Sequence, residues 1–290
     1  MTGPIFTDQR VDAVRAAANR AIALLEAATY PLGVAWVRHR WHGGSADDVV
    51  DALARYQQPD GGFSGLEVDI AAPVSNAFAG RLAMQVMLSL RDADASAIAR
   101  PLGAWYARNQ DEDGDWHFPP EVYQHELAPW FAAWEFPSLN PTCSIAGLTH
   151  ALGIDAPELQ AGVAKLGEDK ATLEQARSGD FYPMLPIVEY VAHIDVTDRE
   201  TWLDALAEGV SRGIAANSFG DAEHALEHAV GGGPDLIVRL ERDDLVKVID
   251  STLADQRDDG GWPTPYDPAW RPWVTANTLT LLSKLHETVV

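Results

Sequence analysis

Apolar residues recur at helical spacing along most of the chain, and the strict alternation typical of β-strands is scarce. Over residues 10–28, for example, Val11, Val14, Ala18 and Ile22 fall on one stripe. The pattern therefore predicts an all-α protein of about twelve helices. These are predicted over 10–28, from Pro31 to Gly43, from Ser45 through Tyr56, over 73–90, 95–109, 142–152, 157–167 and 184–194, from Thr197 through Val210, and over 221–230, 242–256 and 272–288.

Local signals place several helix starts. Ser45-x-x-Asp48 and Thr197-x-x-Glu200 both have the form of a capping box, in which side chains at the two positions satisfy free amides of the first turn. Prolines at 73 and 272 are each expected to begin a helix, because proline is well tolerated in the first turn.

A short motif, Gln-x-x-Asp-Gly-x-aromatic, occurs three times, at residues 57–63, 110–116 and 256–262. The copies start 53 and 146 residues apart, the second interval being close to three units of about 49, and such spacing is typical of stacked repeats. Weakened copies occur around Gly179 and Gly220. Aspartate and glycine favour a tight turn, and the glutamine amide can bond backbone groups left free at helix ends. We therefore interpret the motif as structural, with Trp116 and Trp262 as buried staples.

These repeats resemble the QW motifs of the terpenoid cyclases, such as the squalene–hopene cyclases, whose fold the β subunits of protein prenyltransferases share. The resemblance implies one domain over 1–290, an α/α toroid in which six inner and six outer helices surround an apolar cavity. It also implies a hydrophobic, isoprenoid-like substrate. The catalytic signatures of the family are absent: no Asp-x-Asp-Asp occurs, and Pro141 stands where the prenyltransferase zinc site would have an aspartate before Cys143. The nearest acidic string, 92–95, lacks the last acid and is predicted to cap the next helix.

The composition excludes some function classes. Asp and Glu number 43 against 21 Lys and Arg, for a formal net charge of −22, which disfavours nucleic-acid binding. Cys143 is the single cysteine, so an internal disulfide is excluded. No apolar run reaches the length of about 20 residues that spans a bilayer, and no signal peptide is evident. We expect a cytoplasmic protein whose partner is a hydrophobic small molecule; its oligomeric state is left open.

Helices that follow the repeat turns would be the inner ones, where polar residues are informative. In the predicted helix 221–230, His224 and His228 are four residues apart and could bind one divalent metal, with Glu227 as general base. The alternative is a solvated acidic helix, and no cofactor is certain. Glu189 and His193 show the same spacing and could form an acid–base pair, or an ordinary exposed ion pair.

Aromatic residues offer candidate substrate contacts. The longest stretch without repeats, about 117–141, is rich in them, and long loops in compact domains are often binding loops. Packing against the rest of the fold explains the same pattern equally well. The candidate substrate-binding residues are Tyr123, Trp130, Trp134, Phe136, Phe181 and Trp273.

Three functions remain open on this sequence. The first is a terpene-cyclase-like enzyme acting on an isoprenoid or other hydrophobic substrate. The second is a metal-dependent or general acid–base enzyme that uses His224, Glu227 and His228 on another apolar substrate. The third is a protein that binds a hydrophobic ligand without catalysis.

Overall fold

A computed structural model of the chain describes residues 3–91, 94–154 and 156–290. These residues form an all-α structure: they contain no β-strand, only two isolated bridges, and fifteen α-helices. The helices are α1 (Asp8–Ala27), α2 (Pro31–His42), α3 (Ala46–Ala54), α4 (Ala77–Leu88), α5 (Ser96–Asn109), α6 (Pro129–Ala132), α7 (Thr142–Ala151), α8 (Pro157–Lys170), α9 (Leu173–Arg177), α10 (Phe181–His193), α11 (Arg199–Ala216), α12 (Ala222–Gly231), α13 (Gly233–Ile237), α14 (Arg242–Asp255) and α15 (Arg271–Val289).

The all-α prediction is confirmed, and each of the twelve predicted helices is present. The three additional helices, α6, α9 and α13, have only four or five residues, which is too short for a helical period to be recognised. Short 3₁₀ turns also occur at Val122–Gln124 and Pro268–Trp270. Asp92 and Ala93 of the acidic string lie outside the described residues, whereas Asp94 accepts a hydrogen bond from Ser96 N at 2.9 Å and so precedes α5 as a cap.

Two predicted helix starts are wrong. The N-cap of α11 is Asp198, which has a left-handed backbone (φ +56°) and makes no side-chain capping bond, so Thr197 does not form a capping box. Pro73 precedes α4 by four residues; Asn76 is the N-cap there and accepts from Ala79 N at 2.9 Å. Pro272, in contrast, lies in the first turn of α15, as predicted.

The described chain forms two compact units. Unit 1 comprises the chain up to Val49 together with Leu173–Leu185 and Asp198–Val290. Unit 2 comprises Val50–Thr172 and Pro186–Thr197. The closed toroid and the single domain remain predictions.

Helices that follow a repeat turn are buried on nearly every face. In unit 2, ten of the twelve residues of α4 and eight of the ten residues of α7 are buried. Helices that do not follow a repeat turn expose most of their residues. In unit 1, α1 buries only five of its twenty residues, and α14 buries four of its fourteen. A helix buried all round must consist of apolar and small residues, so each charged residue on such a helix requires a specific partner.

The repeat turns of unit 2 dock onto neighbouring helices through the glutamine amide. Gln57 Nε2 donates to Gly61 O within its own turn and to Ile98 O on α5, both at 2.9 Å. Gln110 repeats the arrangement, donating within its turn at 2.9 Å and to Leu159 O on α8 at 3.3 Å. One side chain therefore closes the turn and fixes the next helix against it.

The third repeat does the same in unit 1. Gln256 Nε2 donates to Gly260 O at 2.8 Å and to Ala17 O on α1 at 2.9 Å. Gly260 has φ +92°, and a Cβ at this position would stand 2.2 Å from Arg20 O. Glycine is required here both for its backbone conformation and for the close approach to α1.

The aromatic residue of the motif covers the turn from inside. Trp116 and Trp262 are each 1% exposed. Trp116 Nε1 donates to Tyr106 O at 2.9 Å, and Trp262 Nε1 donates to Thr252 O at 2.7 Å. Each indole thus satisfies a carbonyl at the end of the preceding helix, which is the geometry that a structural staple needs.

The structure contains a fourth, less regular copy of the turn in unit 1. Gln175 stands four residues before Gly179, which has φ +78°. Ser178 takes the place of aspartate, and its hydroxyl accepts from Asp180 N at 3.1 Å, as Asp60 accepts from Gly62 N at 3.0 Å. Because serine replaces aspartate, this copy departs from the Gln-x-x-Asp-Gly pattern of the other three.

We predict that Trp262→Ala lowers the free energy of unfolding by about 3–5 kcal/mol, because it removes a fully buried indole and leaves a cavity. Chemical denaturation followed by circular dichroism measures this. Trp130→Ala is the matched control: that indole is 37% exposed, so the loss should be much smaller. Equal losses in the two variants would contradict the staple interpretation.

Candidate functional site

The first turn of α12 gathers acidic and imidazole side chains in unit 1. Asp221 is the N-cap of this helix, and its carboxylate accepts from His224 N at 2.9 Å. Helical spacing places Glu223 and Glu227 on one face of α12, four residues apart. Both carboxylates are buried, where α12 packs against α14 and α15.

The imidazole of His224 lies between two carboxylates. Its Nδ1 is 3.1 Å from Asp221 Oδ1, and its Nε2 is 3.6 Å from Glu223 Oε2. The side chain of His224 is 12% exposed and that of Asp221 is 7% exposed. The three groups therefore form a short, largely buried array of carboxylate, imidazole and carboxylate.

Asn277 of α15 fixes the far end of this array. Its Nδ2 donates to Glu223 Oε1 at 2.6 Å. Because one oxygen of Glu223 is held there, the other oxygen is left to face His224. Trp273 lies one turn earlier on α15 and is buried with its ring 5.4 Å from that of Trp36. Trp273 and Asn277 thus lie on the same face of α15.

Burial and neighbouring charges shift the pKa values of Glu223 and His224. Burial, with the nearby Glu227 and Asp221 carboxylates, raises the pKa of Glu223 to about 8. Burial also lowers the pKa of His224, but Asp221 and Glu223 outweigh it, and the pKa of His224 rises to about 9. The pair therefore holds its protons to higher pH than the free side chains would.

Two polar atoms of the array are buried without a hydrogen-bond partner, Asp221 Oδ2 and His224 Nδ1. The contact between Nδ1 and Asp221 Oδ1 is short but is not aligned as a hydrogen bond. In addition, one donor atom each from Asp221, Glu223 and His224 lie within 4.8 Å of one another. These residues are the ones in the array that could hold a cation.

His228 plays a different part. Its Nδ1 lies 2.8 Å from His224 O, and its Nε2 lies 3.1 Å from Phe181 O. The ring stacks on Phe219 at 4.3 Å, and burial lowers the pKa of His228. Since both nitrogens face backbone carbonyls, the geometry does not bring His228 together with His224 as a pair of metal ligands.

Aromatic rings border the array. The ring of Phe181 lies 4.2 Å from that of His224, and the ring of Tyr266 lies 5.6 Å away, edge-on. Burial, together with the neighbouring Tyr182 and Asp221, raises the pKa of Tyr266. The ionisable groups on α12 are therefore next to an aromatic surface, as a site for an apolar substrate would require.

The other predicted acid–base pair lies in unit 2 and has different partners. Glu189 is buried, with Oε2 accepting from Arg81 Nε at 2.9 Å and Oε1 accepting from Gln85 Nε2 at 2.8 Å. His193 lies one turn later on α10 and is partly buried. Glu189 is thus joined to α4 by a buried ion pair with Arg81.

Glu67 belongs to the same polar region of unit 2. It is buried, and Asp69 N donates to its Oε1 at 3.3 Å. Burial and the Asp69 charge raise the pKa of Glu67 to about 8, opposed by Arg81. Two buried carboxylates, Glu67 and Glu189, therefore lie near a single buried guanidinium.

The aromatic insertion packs both on α4 and on itself within unit 2. The ring of Phe78 lies 4.6 Å from Phe131 and 5.1 Å from Trp134, both edge-on. Phe136 stacks on His117 at 4.6 Å. These contacts build a local hydrophobic cluster with Ile70, Phe118 and Val122.

Two residues of the insertion remain at the surface, since Tyr123 is 56% exposed and Trp130 is 37% exposed. Trp134 is partly buried, and its Nε1 is buried without a hydrogen-bond partner. The insertion thus contains a packed aromatic cluster with only these two large rings well exposed.

Sequence reasoning missed four polar participants. Asp221 and Glu223 lie three residues and one residue before His224, and an N-cap aspartate before an apolar helix is a recognisable signal. Arg81 lies alone among apolar residues of α4, which is the signal for a buried charge with a partner. For Asn277 the sequence carries no comparable signal.

The sequence matches no protein-family model, and no curated protein matches it. No helix in the described part of the chain combines the length and the apolar composition needed to cross a membrane.

We predict that Glu67 makes the fold less stable at alkaline pH. Its pKa is about 4.5 in the unfolded chain and about 8 in the folded one, so its stabilising contribution is full below pH 4.5 and is lost as the pH rises through 8. Since one pKa unit is about 1.4 kcal/mol, Glu67→Gln should gain about 2 kcal/mol or more over wild type between pH 4.5 and 9.

Denaturation at several pH values tests this. Glu121→Gln, which replaces an exposed glutamate of unit 2, is the control and should follow the wild-type profile. A Glu67→Gln profile parallel to wild type would contradict the assignment.

Proposed function

We propose that this protein is an enzyme that transfers protons to or from a hydrophobic small molecule, a lyase or isomerase type of reaction, at the start of α12. The observation that carries the proposal is the imidazole of His224 held between Asp221 and Glu223 in a buried setting beside aromatic rings. Ionisable groups perturbed in this way are typical of catalytic centres.

Each residue of the array has a distinct role in this proposal. Asp221, whose Oδ1 lies 3.1 Å from Nδ1 of His224, stabilises the charged form of that ring. Glu223 and His224 are the two groups that exchange protons with the substrate. Their 3.6 Å separation is long for direct transfer, and such contacts often shorten when substrate binds. Asn277 is a positioning residue, because it holds the Glu223 oxygen that does not face His224.

The substrate class we propose is a hydrophobic, isoprenoid-like molecule, in keeping with a terpene-cyclase-like protein. The rings of Phe181 and Tyr266 support an apolar substrate next to the acids, and ring faces can also stabilise a developing positive charge. The repeat turns support the isoprenoid class only through their resemblance, as they do the toroidal arrangement. A cytoplasmic setting is part of the same proposal.

We predict that Glu223→Gln lowers turnover roughly 100-fold or more, the usual contribution of a positioned proton-transfer group. The amide can still accept from Asn277, so the melting temperature should change little. The assay incubates purified protein with squalene and polyprenyl diphosphates and detects new products by mass spectrometry. Glu241→Gln, an exposed site before α14, is the control and should keep full activity.

Unchanged turnover in Glu223→Gln would remove the proposed role of the array. If the wild type bound these compounds without converting any of them, the proposal would be replaced by a non-catalytic binding function.

A further inference from the structure

We infer that Asp221, Glu223 and His224 also form a binding site for a divalent transition-metal cation. The inference goes beyond the proposed proton transfer, because it requires no turnover and no particular substrate. A cation and a transferable proton would use the same carboxylate of Glu223, so occupation by the cation and proton donation exclude each other.

The spacing of the donors suits a cation. Two ligands of a tetrahedral zinc ion, each about 2.1 Å from the metal, are about 3.4 Å apart. In this structure one donor atom each from the three residues already lie within 4.8 Å of one another. The two carboxylates face different nitrogens of the His224 ring, so coordination of one ion by all three residues requires them to converge on one of these nitrogens. Three protein ligands would leave one position for water or substrate.

The second observation is the pair of unpartnered atoms. Asp221 Oδ2 and His224 Nδ1 are buried and make no hydrogen bond. The side chain of Asp221 is more than nine-tenths buried. A buried carboxylate oxygen without a partner costs free energy, and a bound cation would satisfy it directly.

The charge balance points the same way. The charges that act on His224 come from three carboxylates, Asp221, Glu223 and Glu227. With all three ionised, one imidazolium leaves a net charge of −2, whereas a divalent cation beside a neutral imidazole leaves −1, so the cation neutralises more of the buried charge.

The kind of ligand atom selects the kind of cation. An imidazole nitrogen with carboxylate oxygens suits zinc, manganese or iron, whereas magnesium and calcium prefer oxygen ligands alone. We therefore expect Zn²⁺ to bind and Mg²⁺ to bind much more weakly. His228 is not part of this site, because both its nitrogens face backbone carbonyls.

The test is isothermal titration of the EDTA-treated, full-length protein with Zn²⁺ and, separately, with Mg²⁺. We expect one saturable Zn²⁺ site in the wild type and at least a tenfold weaker affinity in Asp221→Asn. Asparagine is as good an N-cap as aspartate, so this variant keeps α12 while losing the charged ligand. Glu223→Gln is the second ligand variant and should weaken binding similarly.

Asp113→Asn is the matched control. Asp113 and His117 form an exposed pair at 2.8 Å in unit 2, with the same residue types and a similar spacing. This variant should bind Zn²⁺ as the wild type does. If the wild type had no saturable site, or if both ligand variants bound Zn²⁺ with wild-type affinity, the inference would be overturned.

Cobalt provides a readout of the ligand set. Co²⁺ bound by the wild type should give the visible absorption bands of a four-coordinate ion, and His224→Ala should lose them. Binding of Zn²⁺ by a wild type whose metal-free form converts no substrate would leave this site standing and remove the proposed function. Turnover by a wild type that binds no cation would leave the proposed function standing and remove this metal site.

Discussion

The side-chain amide of the glutamine makes the same two hydrogen bonds in each of the three regular repeat turns, and much of the helix packing depends on these bonds. Gln57, Gln110 and Gln256 each donate once within their own turn and once to a carbonyl of another helix. A glycine with positive φ then allows the turn to approach that helix at backbone distance. The helices α4 and α7, which follow such turns, have almost every face covered, whereas α1 and α14 each bury only a stripe. On α4 and α7, consequently, a charged side chain cannot be accommodated without a dedicated partner.

The two polar regions differ in the positively charged group that partners their buried carboxylates. In unit 2, Arg81 supplies a permanent positive charge that bonds Glu189 and acts on Glu67. Guanidinium does not lose its proton in proteins, so this arrangement is fixed and serves the structure. In unit 1, the partner of the carboxylates is His224, whose charge depends on a single exchangeable proton. A centre that must gain and lose a proton needs a partner of this second kind.

The fold was more predictable from the sequence than the site. Helical period and turn chemistry are local, so α4, α7 and α12 appear where the pattern places them. The start of α11 was wrong because Asp198 adopts a left-handed backbone that sequence spacing does not reveal. In the candidate site, the spacing of His224 and His228 pointed to α12, since i and i+4 share a face. It could not tell that His228 turns to backbone carbonyls, or that Asn277, 53 residues beyond His224 in the chain, holds Glu223. Those contacts depend on tertiary packing.

The position of Asp221 explains why a carboxylate and an imidazole lie side by side at the start of α12. An N-cap aspartate satisfies a free amide of the first turn, and its negative charge is favourable at that end of the helix dipole. The same geometry places its carboxylate within 3.1 Å of the ring of His224, three residues later. The capping requirement of the fold therefore offsets part of the cost of holding a carboxylate beside the imidazole. Glu223, which has no capping role, needs Asn277 instead and has a pKa raised to about 8. The array thus combines one carboxylate anchored by the helix with one whose charge state depends on what occupies the site.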